Sequence, residues 1–161
     1  MPAPVTTDLV WRTMERELFA VLAWVTPGGE ARSTGVVYVV HDRKLYVGTG
    51  ATSWKAKQIA KNPRVAMTVC MARRVPLMPW IQVPDATIAL HGVARLLEVG
   101  SVDPQVLKKL YRGMEVDEAF KADNVVLEIV PEGDFVTFGV GVSLLTMRRP
   151  ADARGRAPVV A

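Results

Sequence analysis

The sequence predicts a mainly β (α+β), antiparallel fold: a small β-barrel with helical additions. Two observations point there. Short β-branched and aromatic runs follow one another across tight polar turns, as at Pro27-Gly28-Gly29 and His41-Asp42-Arg43-Lys44. The helical segments interrupt the strands without alternating regularly with them, and neither GxGxxG nor GxxxxGK[ST] occurs, so a parallel nucleotide-binding sheet is excluded.

Taken in order, Thr7 or Asp8 is expected to cap a short amphipathic helix running through Trp11 and Met14. LFAVLAWVT, ARSTGVVYVV and KLYVGT then read as a three-stranded meander. A short helix is expected from Trp54 to about Lys61, stopped at Asn62-Pro63 because proline disfavours a helical residue before it. RVAMTVCMA is a fourth strand. RRVPLMPWIQVPDA, with Pro76, Pro79 and Pro84, should be an irregular loop. The fifth strand alternates, with Ile88, Leu90, Ala94 and Leu96 on one face and His91, Val93 and Arg95 on the other. Asp103-Pro104 starts a longer helix burying Val106, Leu107, Leu110, Tyr111 and Met114. NVVLEIVPEGDFVTFGVG closes the domain with one or two strands. The division expected is a domain over 1–145 and a basic tail over 146–161, too poor in apolar residues to form an element.

Length and composition narrow the function classes. The 161 residues are the size of one domain; 50% are hydrophobic and 22% charged, as in ordinary globular proteins. Apolar runs reach only strand length, far short of the roughly 20 residues that span a bilayer. No signal-peptide pattern opens the chain, so cytoplasmic residence is the expectation, without a membrane partner. Cys70 stands alone and reads as a buried small hydrophobe; His41 and His91 belong to no metal-ligand spacing, so no metal is expected. The net charge of +4 suits anionic partners. Basic residues cluster over Lys55–Arg64 and at Arg148, Arg149, Arg154 and Arg156, but interleaved aromatics are lacking apart from Trp54, so nucleic acid is not expected.

The chemistry-bearing stretch is GTGATSWKAKQIAKNPRVAMTV, Gly48–Val69. With Ser53 as N-cap, the free N–H groups of the first helical turn and the positive end of the helix dipole face an incoming anion. Lys55 adds a point charge, Thr49, Thr52 and Ser53 add hydroxyls, and Gly48 and Gly50 let backbone approach a ligand. The same residues also suit an ordinary capped surface helix, and taken alone they favour that plainer reading.

The order strand–turn–strand–turn followed by LYVGTGATSWKAKQIAKNPRVAMTV resembles the FMN-binding split β-barrel superfamily, the pyridoxamine 5′-phosphate oxidase-like proteins. Ser53-Trp54-Lys55 and Asn62-Pro63-Arg64-Val65 carry the likeness, which spans roughly Leu18 to Leu97. The resemblance implies a split barrel and a flavin phosphate at Ser53 and Lys55, assisted by Thr49. Trp54 stands where relatives often have arginine. It also implies that the isoalloxazine lies along Arg32-Ser33-Thr34-Gly35-Val36, with Ser33 or Thr34 near the phosphate or ribityl chain, and that homodimers share each cleft. The arginine-rich C-terminal signature of true pyridoxamine phosphate oxidases does not align with MRRPADARGRAPVV, which argues against that particular substrate.

The function expected is therefore an FMN-dependent oxidoreductase moving hydride to or from a small molecule. The cofactor supplies the redox chemistry, so no catalytic dyad need be visible. The alternatives are a deazaflavin-dependent reductase, with Lys57, Lys61 and the tail arginines meeting the acidic tail of that longer cofactor, and a non-enzymatic flavin- or haem-binding stress protein, whose axial ligand would be His41 or His91. Trp80 is a candidate to cover the cleft.

Overall fold

Tyr38 decides the architecture. In a computed structural model describing residues 5–78 and 80–160, the expected second strand is two: β2 (Ala31–Val37) and β3 (Val39–His41), separated by Tyr38 alone. Tyr38 is fully buried; its N–H donates to the Leu18 carbonyl (3.1 Å) and its hydroxyl to the Met14 carbonyl (2.8 Å). Those bonds bend the chain away from β1 (Phe19–Val25). β2 stays paired with β1, while β3 forms a hairpin with β4 (Lys44–Gly50). Asp42 and Arg43 both take positive φ in that two-residue turn, the conformation that follows the strand twist.

Three consecutive meander strands are therefore not observed. With β5 (Arg64–Met71), β6 (Ala86–Glu98) and β7 (Asn124–Phe138), the sheet order is β2-β1-β5-β6-β7-β4-β3. The two ends of that path are consecutive in the chain across Tyr38, so the antiparallel sheet curls into a split barrel. Inward residues alternate along each strand, among them Ala20, Leu22 and Trp24 on β1, Ile88, Leu90 and Ala94 on β6, and Leu127 and Ile129 on β7. Gly92 is required at the β6 bulge, because a Cβ there would lie 2.2 Å from the Val130 carbonyl oxygen.

Helix α1 (Thr7–Met14) closes the barrel with Val10, Trp11 and Met14. Its cap is Thr6, one residue ahead of the first expected position, because the buried Thr7 hydroxyl donates instead to the Pro158 carbonyl (2.7 Å). Helix α2 (Trp54–Lys61) has the expected bounds. The helical segment before β7 is broken into α3 (Pro104–Leu110) and α4 (Glu118–Asp123), with Gly113 at positive φ between them. Val106, Leu107, Leu110 and Tyr111 pack with Tyr46 and Val126 on the outer side of β4 and β7, but Met114 lies past the helix end and is exposed. The Pro-rich loop is irregular among its described residues; Pro79 lies outside them.

The basic tail, expected to form no element, instead forms α5 (Leu144–Met147), α6 (Pro150–Ala153) and β8 (Arg154–Pro158), which pairs with β7. Alternation explains it: Ala153, Ala157 and Val159 enter the core while Arg154 and Arg156 stay outside, so a few small apolar residues suffice for an edge strand. Ala161 lies outside the described residues. Cys70 is half-buried on β5. Among the described residues no helix is long and apolar enough to cross a membrane.

Candidate functional site

The sharpest local feature is the start of α2. Ser53 is the N-cap: its hydroxyl accepts from the Ala56 N–H (3.2 Å) and its carbonyl from the Lys57 N–H (3.1 Å). Thr49, at the end of β4, reaches the Ser53 hydroxyl (3.1 Å) and so ties strand to helix. The Trp54 and Lys55 N–H groups donate to no protein acceptor among the described residues. The first turn carries no acidic side chain, and no described carboxylate pairs with Lys55. Lys55 is half-buried, and that burial lowers its pKa. An unneutralised helix terminus and an unpaired, partly desolvated ammonium thus stand together. Each is improved by an anion.

Beside the terminus lies a cleft of about 350 Å³ lined by Trp24, Arg32, Ser33, Trp54 and Gln58. Its lining comes from β1, β2 and α2. Two indoles supply flat apolar walls. Arg32, whose other partner is the exposed Glu30 (2.6 Å), supplies charge, and Ser33 a hydroxyl. Trp54 is 79% exposed and forms part of a second cavity, about 380 Å³, with Pro27, Lys57, Gln58 and Lys61. A third hollow of about 270 Å³ shares Trp24 and Arg32 and adds Arg64 and His91. Among the described residues β2 pairs with β1 alone, so alternate N–H and C=O groups along Arg32–Gly35 face away from the ladder.

The remaining expected residues fall elsewhere. Gly48 is on the opposite face of β4 from Thr49, and the space a Cβ would take is filled by Tyr111, whose hydroxyl would sit 2.5 Å from it. Its missing side chain serves packing. Gly35 is likewise closed over by the Phe19 ring, which would lie 2.7 Å from a Cβ at that position. Val36 points into the core and offers only its backbone. Thr34 is half-buried, with its hydroxyl 3.5 Å from the Gly35 carbonyl. His41 lies between Asp42 (3.5 Å) and Asp103 (3.6 Å), and His91 is exposed against Gly133. Trp80 is 74% exposed on its loop.

Trp24 and Gln58 escape sequence reasoning. Trp24 reads as one more inward residue of an alternating strand, and Gln58 as a polar helix position. Their mutual hydrogen bond (2.7 Å) joins residues 34 apart, which no local pattern reports.

A curled antiparallel sheet, with a cleft lined by an edge strand and a capped helix, defines the split β-barrel class. The sequence profile of the pyridoxamine 5′-phosphate oxidase family matches residues 8–133, and the chain belongs to that family. No curated protein sequence matches it. Solved structures similar to it include an F420 reductase (22% identity, 84% of this chain and 98% of that one, TM-score 0.56). General Stress Protein 26 from Bacillus anthracis is similar at 19% identity, over 82% of this chain and 91% of that one, with a TM-score of 0.55. The haem storage protein HutZ from Vibrio cholerae is similar at 16% identity, over 88% and 98%, with a TM-score of 0.65. At these identities the likeness establishes the fold.

Proposed function

We propose that this chain is a cytoplasmic FMN-dependent oxidoreductase whose phosphate seat is the start of α2. The observation that carries the reading is the pairing of the uncapped Trp54 and Lys55 N–H groups with a half-buried Lys55 that has no carboxylate partner among the described residues. The residues fit the group. A phosphate would meet two N–H donors, whichever of the bonded Ser53 and Thr49 hydroxyls keeps a free proton, and an ammonium, and a flat ring would meet the exposed indole of Trp54.

Bound FMN supplies the hydride acceptor and donor, so the protein's part is to bind, orient and shield. Arg32 and the free edge of β2 would hold such a ring, supplying positive charge and N–H dipoles that would favour a negatively charged state of it. The hollow bearing Arg64 and His91 shares Trp24 and Arg32 with the cleft and would offer a substrate two donor side chains, Arg64 also pairing with Glu132 (3.5 Å).

The site is shared in a homodimer under this reading. Phe19, Val25, Val37, Val130 and Val136 are exposed on one outer face of the sheet, with Val21, Ala66 and Ala89 between them in register. Such a contiguous apolar face is costly in water and is relieved by a second copy. A deazaflavin cofactor is the second reading, favoured by Lys57 and Lys61 in the cavity beyond Trp54, where an acidic tail would find two ammonium groups.

The test is to identify by mass spectrometry the chromophore released on denaturing the purified protein, and to titrate the stripped protein with FMN. FMN release, or saturable FMN binding, is expected. A released deazaflavin would move the assignment to the second reading, and a colourless chain that takes up neither would refute both.

A further inference from the structure

The Trp24–Gln58 hydrogen bond fixes more than a side-chain position. Trp24 Nε1 can only donate, so the Gln58 atom 2.7 Å away must be its amide oxygen. The amide cannot flip while that bond stands. Its NH2 group is therefore held on the opposite edge of the planar amide, turned away from the indole. Gln58 lines both cavities that meet at Trp54, and its nitrogen donates to no protein group among the described residues. Trp24 is itself buried in the barrel wall, so the oxygen is anchored to a rigid strand.

We infer that Gln58 is a ligand-binding residue of the cleft, its amide NH2 donating to an oxygen of the bound ligand, and that Trp24 is the positioning residue that orients it. The inference rests on the flavin reading of the same site. It also specifies which part of the ligand is addressed. Gln58 lies five residues beyond the cap, about 7.5 Å along the helix axis, so it cannot contact a phosphate seated on the first turn. Its cavity neighbours are Arg32 and Ser33 of β2 and the indole of Trp54. The acceptor is thus an oxygen of the ring or of the polyol chain.

Gln58→Glu separates binding from folding. A carboxylate still accepts from the Trp24 indole, so the anchor survives, but the donor is gone. Binding of FMN and of riboflavin, which lacks the phosphate, is titrated by flavin fluorescence for the wild-type chain, Gln58→Glu and Trp24→Phe. For Gln58→Glu the expected result is at least a tenfold loss for both ligands at an unchanged melting temperature. Trp24→Phe, which frees the amide to rotate, should show a smaller loss of the same kind. Wild-type binding of FMN matched by Gln58→Glu would overturn the inference alone, as would a loss confined to FMN. Failure of the wild-type chain to bind either flavin would overturn the flavin reading and this inference with it.

Discussion

Replacing Lys55 with Met separates the demands of binding from those of folding. Lys55 is half-buried, lacks a carboxylate partner among the described residues and lies in the first turn of a helix whose dipole already places positive charge there. Burial lowers its pKa, so between that value and the ordinary 10.5 the unfolded chain binds more protons than the folded one. From this group alone, stability rises with pH through that window, and at neutral pH the cost of burying the charge is fully present. Lys55→Met keeps the aliphatic stem and removes that cost. The ligand-free variant should melt no lower than wild type at pH 7, and its alkaline gain in stability should shrink. FMN binding should weaken, because a charge-assisted hydrogen bond contributes roughly 1.5–3 kcal/mol, or about 10- to 150-fold in Kd. Melting curves across pH 7–11 and flavin fluorescence titrations read the two effects. A variant that melts lower but binds FMN as wild type does would refute the reasoning, since Lys55 would then be a structural residue.

Four further outcomes follow from the packing and the buried charges. Gly48→Ala should destabilise the chain by about 1–3 kcal/mol through overpacking against Tyr111; Tyr111→Phe should cost little in thermal melts, because the buried hydroxyl has no partner among the described residues. Burial pushes the Glu128 carboxyl up, but the hydrogen bonds from Arg95, Lys44 (3.2 Å) and Tyr46 (3.1 Å) outweigh it and hold its pKa below the usual 4.5. Its contribution is thus present above that value and lost as pH falls through the lower folded one. Glu128→Gln should cost about 1–3 kcal/mol at pH 7, less than a wholly buried pair because Arg95 and Lys44 reach solvent. The deficit should shrink in acid, as read by urea unfolding at pH 7 and pH 3. Val37→Lys on the exposed outer face should shift the particle to monomer mass by sedimentation, and a dimer of unchanged stability would argue against that face as the interface.

The fold is legible where local chemistry acts alone. Ser53 and Asn62-Pro63 mark both ends of α2, and the alternation of β6 assigns its two faces correctly, because capping, proline sterics and strand period are properties of neighbouring residues. What sequence does not supply is partnership at a distance. Tyr38 looks like one more residue of an apolar run, yet its bonds to Leu18 and Met14 turn one strand into two and set the barrel's closure. β8 is invisible in composition because its apolar side consists of small residues that only the β7 ladder makes useful. Within the candidate site, the Ser53 cap and the helix start after it are readable, and Ser33 and Trp54 line one cleft. Gly48 reads as room for a ligand, whereas Tyr111, distant in sequence, fills that room. Gln58 gives no signal of its own because its significance lies in the indole 34 positions earlier.

The most direct measurement compares FMN with riboflavin on the stripped wild-type protein at moderate salt. A phosphate seat at the α2 terminus predicts that FMN binds at least tenfold more tightly than riboflavin, with the difference shrinking as salt rises. Equal affinities would contradict the account and leave the start of α2 an ordinary helix cap.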